Sequence, residues 1–165
     1  MSKFFREEGR FYRFFVLFVA SGAGSGYFPF ASGTAGTFLA GIPVFLLFSL
    51  MSGVWYAVST VMLMLAGVYF CEAADRVLGE KDSSKIVIDE VAGYLVTMAF
   101  IPVSIYTVGA GFFLFRFFDV LKPQPAKWVE DNLPGGAGVL FDDVVAGVYA
   151  NICLQLLYHF VLKNL

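Results

Sequence analysis

VAGYLVTMAFIPVSIYTVGAGFFLF, residues 91–115, runs for 25 residues without a charge and carries Pro102 near its middle. On either side the sequence turns abruptly polar: Asp89 and Glu90 stand before it, and Arg116, Asp119 and Lys122 follow. A helix crosses a bilayer in roughly 20 apolar residues, so one reading is a single span with the two polar flanks on opposite faces. The other reading turns the chain back at Pro102. Proline weakens a helix and disfavours helical geometry in the residue before it. The polar flanks then meet on one side.

The charges of the remaining chain decide between the two. Lys3, Arg6, Arg10 and Arg13 interleave with Phe4, Phe5, Phe11 and Tyr12, so residues 1–13 read as an interfacial amphipathic segment on the cytoplasmic side. Residues 38–51 and 54–71 are uncharged runs separated by Ser52-Gly53, which suits a helical hairpin. That hairpin returns the chain to its starting side, in keeping with Arg76, Lys81 and Lys85. Residues 116–143 carry Arg116, Lys122 and Lys127 and belong there too. Only the folded-back form of 91–115 satisfies every window. Residues 144–162 give a last span, interrupted by Asn151, Gln155 and His159. SGAGSGYFPFASGTAGT, residues 21–37, holds five glycines and Pro29, and reads as a loop or re-entrant segment.

Composition agrees with a membrane solvent. Of the 165 residues, 59% are apolar and 15% charged, against roughly 45–50% and 25% in a soluble domain. The 20 Phe and 17 Gly suit lipid-facing and closely packed helices. The fold class expected is an all-α, polytopic helical bundle, one domain over 1–165, with short or re-entrant helices and a cytoplasm-facing polar site. Nothing resembles a nucleic-acid-binding basic patch. Cys71 and Cys153 read as reduced thiols packed among apolar residues.

Charge at membrane depth is costly, so the acids are functional candidates. Asp89-Glu90 and Asp142-Asp143 each sit at the mouth of an apolar helix, beside Gly93 and Gly147. Arg116, Asp119 and Lys122 follow each other at three-residue steps, within about 60° of Asp119 on one helix face. Carboxylates from three segments suit Mg²⁺, a hard cation that keeps waters for a phosphate substrate, and Arg116 and Lys122 suit a phosphate clamp. The structural alternatives are helix capping for the acids, interfacial anchoring for the two cations, and a plain ion pair for Asp119. Glu72, Asp75, Glu80, Glu130 and Asp131 read as solvated loop charges, and Asp82 and Lys85 stand open. Cys71 and Arg76 are one residue short of a cysteine-phosphatase loop, the lone His159 is remote from the acids, and GTAGT lacks the Gly-Lys of a P-loop.

SGYFPFASGTAGT, IVIDEVAG, FRFFDVLKPQP and GGAGVLFDDVVAG, in this order, resemble the phosphatidylglycerophosphatase A family over about residues 20–150. Where the family usually has Pro-Gly-Thr, this chain has Ser32-Gly33-Thr34. The resemblance implies a hydrolase of the bacterial inner membrane, multi-pass, with its active site on the cytoplasmic side. It also implies Mg²⁺-dependent removal of the terminal phosphate of phosphatidylglycerol phosphate. The functional residues it implies are Asp89, Glu90, Asp119, Asp142 and Asp143 as catalytic and metal-binding acids, and Arg116, Lys122, Thr34 and Thr37 as phosphate-binding residues. Direct attack by a metal-positioned water is the favoured route, and an aspartyl-phosphate intermediate stays open. A cation path is disfavoured because the acids flank the spans and lie beside Arg and Lys. A headgroup transferase is disfavoured because its Asp-Gly…Ala-Arg array is absent.

Overall fold

The structure is a computed structural model that describes residues 2–162, with side chains from residue 9. The amphipathic character expected of residues 1–13 therefore falls in part outside the described residues. Among the described residues every regular element is helical. These are α1 (Ser2–Ala20), α2 (Ser32–Gly36), α3 (Ile42–Phe48), α4 (Gly53–Leu78), α5 (Ile88–Thr97), α6 (Ile105–Leu121), α7 (Ala126–Asn132) and α8 (Gly135–Phe160). Two of them, α4 and α8, are long and apolar enough to cross a membrane. On α4, Val54, Trp55, Val61, Met62 and Leu65 are exposed together and give the helix an apolar outer face.

The centre of the bundle is α5. It is only 10 residues long, about 15 Å at 1.5 Å per residue, half the roughly 30 Å of a hydrocarbon layer. Nearly all of it is buried, and it lies alongside α8 with both chains running the same way: Gly93 meets Gly147, and Thr97 meets Asn151. The turn at Pro102 then sends α6 back antiparallel, with Arg116 beside Glu90 and Gly111 beside Met98. The folded-back form of 91–115 is what the structure contains, and both polar flanks lie at one end of the bundle.

A broken helix leaves carbonyls without partners, and in an apolar setting these must be satisfied by protein. The side-chain amide of Asn151 donates to Thr97 O at 2.7 Å and Ala99 O at 2.9 Å. That is why polar residues interrupt the last span. Ser104 then caps α6: its Oγ accepts from Thr107 N at 3.1 Å, while Thr107 Oγ1 accepts from Ser104 N at 2.9 Å. Edge-to-face contacts tie α3, α4, α5 and α6 together, with Phe45 5.9 Å from Tyr94 and Tyr94 6.3 Å from Phe115.

Three boundaries differ from expectation. Within the stretch read as a loop or re-entrant segment, residues 32–37 are helical, continuing through a π-turn at Thr37–Gly41 into α3. The glycines there serve close approach: a Cβ on Gly36 would lie 3.1 Å from Val87 Cβ and nearer still to its methyls. α4 extends to Leu78, so Glu72 and Asp75 are helical residues with defined roles instead of solvated loop charges. Glu72 Oε2 accepts from Gly136 N at 2.9 Å, holding the start of α8, and Asp75 accepts from Asp82 N at 3.0 Å. Finally, α8 begins at Gly135, which puts Asp142 and Asp143 two turns inside the helix rather than at its mouth.

Candidate active site

Asp89 and Glu90 occupy the first turn of α5, where free N–H groups and the helix dipole favour negative charge. Their position is fixed from behind by Val87, whose N–H donates to Ala20 O at 2.8 Å. Asp143 reaches the same point from α8. One carboxylate oxygen each from Asp89, Glu90 and Asp143 lies within 4.8 Å of the others. Asp89 and Asp143 are 7% and 5% exposed. Fully ionised, each pair repels by about 3 kcal/mol or more at an effective dielectric of about 20. Such a trio needs protons or a cation. Burial pushes the Glu90 carboxyl well above the usual carboxylate range, Asp89 adds to this, and Arg116 opposes it.

Two cations line the same cavity. Arg116 Nη1 lies 2.6 Å from Asp119 and 3.8 Å from Glu90. Its Nε and the Oε2 of Glu90 are buried without a hydrogen-bond partner, an arrangement that costs about 1–3 kcal/mol per group unless something else fills it. Lys122 ends α6 in the left-handed region, φ 43°, which turns its side chain toward α8. There it donates to Asp142 at 2.7 Å and pairs with Glu130 at 3.0 Å. Burial works against the Lys122 ammonium, but these two carboxylates outweigh it and its pKa is raised.

All of these groups except Glu130 line one cavity of about 270 Å³. The structure thus brings together Asp89, Glu90, Arg116, Asp119, Lys122, Asp142 and Asp143, drawn from three helices. It sorts the acids as well: Asp89, Glu90 and Asp143 form the trio, Asp119 is paired with Arg116, and Asp142 with Lys122. Thr34 and Thr37 are not brought to this cavity. Thr34 lines an apolar groove, and Thr37 is fully buried with its hydroxyl donating to Gly33 O at 2.9 Å. Helix α2 instead turns Ser32 and Gly33 to the cavity. A Cβ on Gly33 would run into Glu90 Oε1 and lie 2.9 Å from Arg116 Nη2, so glycine lets the backbone come up against both. Asp82, Ser83 and Ser84 complete the rim. Ser32 and Gly33 adjoin the threonines singled out in the sequence, whereas Glu130 carries no sequence signal, because its role depends on where α7 folds. His159 is exposed near the end of α8, far along the helix from these acids.

Oxygen-only donors in a tight trio, with one buried carboxylate oxygen unpaired, fit a hard divalent cation such as Mg²⁺. Cationic groups facing them fit a phosphate.

A family model described as phosphatidylglycerophosphatase A matches residues 18–158. Phosphatidylglycerophosphatase A of Escherichia coli (strain K12) is 36% identical over 142 residues, 86% of this chain and 82% of that protein. The protein of the same name from Haemophilus influenzae is 36% identical over 148 residues, 89% of this chain and 91% of its own. A Bacteroides thetaiotaomicron protein, provisionally named a phosphatidylinositol-3-phosphatase, is also 36% identical over 148 residues, 86% and 92% of the two chains. No solved structure matches the chain.

Proposed function

The chain belongs to the phosphatidylglycerophosphatase A family, and from that membership we propose that it hydrolyses the terminal phosphate of phosphatidylglycerol phosphate. The products are phosphatidylglycerol and phosphate, and the setting is membrane phospholipid synthesis. The enzyme is embedded in the bacterial inner membrane by several helices, with its cavity on the cytoplasmic face. Supporting this are the exposed apolar face of α4, the two helices long enough to cross, and the Lys and Arg residues gathered at the cavity end.

Asp89, Glu90 and Asp143 are the residues that would hold Mg²⁺. Bound there, the ion supplies charge neutralisation on phosphate oxygens and acidifies a coordinated water. Arg116 supplies positive charge toward the phosphate while Asp119 fixes the guanidinium. Lys122, held by Asp142 and Glu130, supplies a second positive charge against the equatorial oxygens. In the hydrolysis a water oxygen bonds to phosphorus, and the phosphorus–oxygen bond to glycerol breaks with its electron pair leaving on that oxygen. The water gives up one proton and the glycerol oxygen gains one, so a carboxylate that carries it between them suffices. Asp142, adjacent in sequence to Asp143, is held by Lys122 at 2.7 Å and serves to position that cation.

The observation that carries the proposal is the carboxylate trio, with the unpaired Glu90 oxygen, in one cavity with Arg116 and Lys122. The test is phosphate release by purified protein from phosphatidylglycerol phosphate, with phosphatidylinositol 3-phosphate in parallel. Preferred release from the glycerol lipid is expected. Preference for the inositol lipid would move this chain toward the activity that names its Bacteroides relative.

A further inference from the structure

The acidic cavity does not end at its rim. Ser32 and Ser84 are shared with a second cavity of about 390 Å³, walled also by Tyr27, Pro29 and Lys85. Phe28 and Ala31 are shared in turn between that cavity and an open groove of about 360 Å³. The groove is apolar: Phe30, Phe38, Leu39 and Phe112 line it, and Phe30 is 78% exposed. Three compartments therefore follow one another along residues 26–35, first anionic-ligand chemistry, then a mixed wall with one lysine, then hydrocarbon.

Lys85 has no role in the catalytic cavity. Its ammonium lies 3.8 Å from Glu80 Oε1, with both side chains about half exposed, a pairing too loose and too wet to be worth much. Its backbone is fixed, since the glycine loop packs against it at Gly26. A cation held beside a mixed cavity suits a phosphodiester, which carries one negative charge and has glycerol on both sides.

We propose that the lipid substrate lies along residues 26–35, with its internal phosphodiester against Lys85 and one acyl chain in the groove lined by Phe30, Phe38 and Phe112. This rests on the phosphatase function proposed above, and it deepens it: selectivity comes from recognising the second phosphate and a hydrocarbon chain, besides the monoester. The order of the compartments matches the order of groups in the lipid, monoester, glycerol, diester, acyl chain. Amphiphile binding along a continuous wall also leaves the reacting phosphate in the polar end without pulling the lipid out of the bilayer.

The experiment compares three substrates in detergent: the diacyl lipid, its deacylated counterpart that keeps both phosphates, and glycerol 3-phosphate. For Lys85→Gln, KM should rise about tenfold for the diacyl and deacylated compounds, the scale of one charge-assisted contact, and far less for glycerol 3-phosphate. For Ala35→Trp, which fills the groove, KM should rise for the diacyl lipid well beyond its change for the deacylated one. Phe30→Asp, at an exposed position, carries the same expectation should bulk at residue 35 disturb the helix. Equal shifts for all three substrates, or none, would overturn the proposed path while the phosphatase function stands. No phosphate release by the native protein would overturn both.

Discussion

Replacing Gly147 by alanine tests how the catalytic acids are held together. The added Cβ would press on the Gly93 carbonyl oxygen, 3.1 Å from its carbonyl carbon and 3.2 Å from Val96 Cβ. Ordinary carbon–carbon contact lies at about 3.5–4.0 Å, so α5 and α8 must part by roughly 0.5–1 Å. The obstacle is backbone, which cannot rotate away. Overpacking costs about 1–3 kcal/mol, against about 1 kcal/mol gained by alanine over glycine in a helix. The net loss of stability is therefore about 1 kcal/mol. The loss of activity should be larger. Glu90 precedes Gly93 and Asp143 precedes Gly147 by about one turn each, so parting the helices opens the trio directly, and a misplacement near 1 Å costs roughly 10²-fold. Gly109→Ala is the control, because its Cβ meets nothing within 4 Å. Turnover and the midpoint of thermal inactivation in detergent, measured on both variants, check this. A Gly147→Ala enzyme that behaves like Gly109→Ala would refute the packing argument.

Asp89→Asn and Glu90→Gln should each lower turnover roughly 10²-fold, the scale for removing a preorganised electrostatic element, while the protein still inserts and purifies; near-native rates would leave both acids as helix caps. Single cysteines at Ser84 and Lys127, in a chain lacking Cys71 and Cys153, should label only after cells are permeabilised, and labelling of one alone from outside would break the shared site. Asn151→Ala strips Thr97 O and Ala99 O of a donor and should cost about 1–3 kcal/mol, seen as a lower thermal midpoint with KM unchanged; an unaltered midpoint would mean that those carbonyls find other partners.

Much of this was legible in the sequence because charge in an apolar chain is rare. Asp89, Glu90, Arg116, Asp119, Lys122, Asp142 and Asp143 stood out for that reason, and parity of the Lys and Arg windows required the turn at Pro102. What was illegible depends on contacts between distant segments. Gly33 and Gly36 looked like loop residues, because a glycine that serves close helix approach and one that serves a turn are the same letter. Glu72 looked solvated, because its role is to meet Gly136, 64 residues away. Asn151 and Gln155 looked like interruptions of a span until the end of α5 supplied carbonyls for Asn151. Thr34 and Thr37 came from the resemblance alone, and which residues of that stretch reach the cavity depends on how α2 packs, which turns Ser32 and Gly33 to it instead.

The central claim is that three carboxylates from two helices form one divalent-cation site. Its most direct measurement is the Mg²⁺ dependence of phosphate release for native protein, Asp143→Asn and Asp142→Asn. Activity should vanish in excess chelator and return with Mg²⁺. The Mg²⁺ concentration for half-maximal rate should rise by about 10²-fold in Asp143→Asn, the upper end of what perturbing a metal's surroundings costs. It should move far less in Asp142→Asn, whose carboxylate is committed to Lys122 at 2.7 Å. Full activity in excess chelator, or equal shifts in the two variants, would contradict the account.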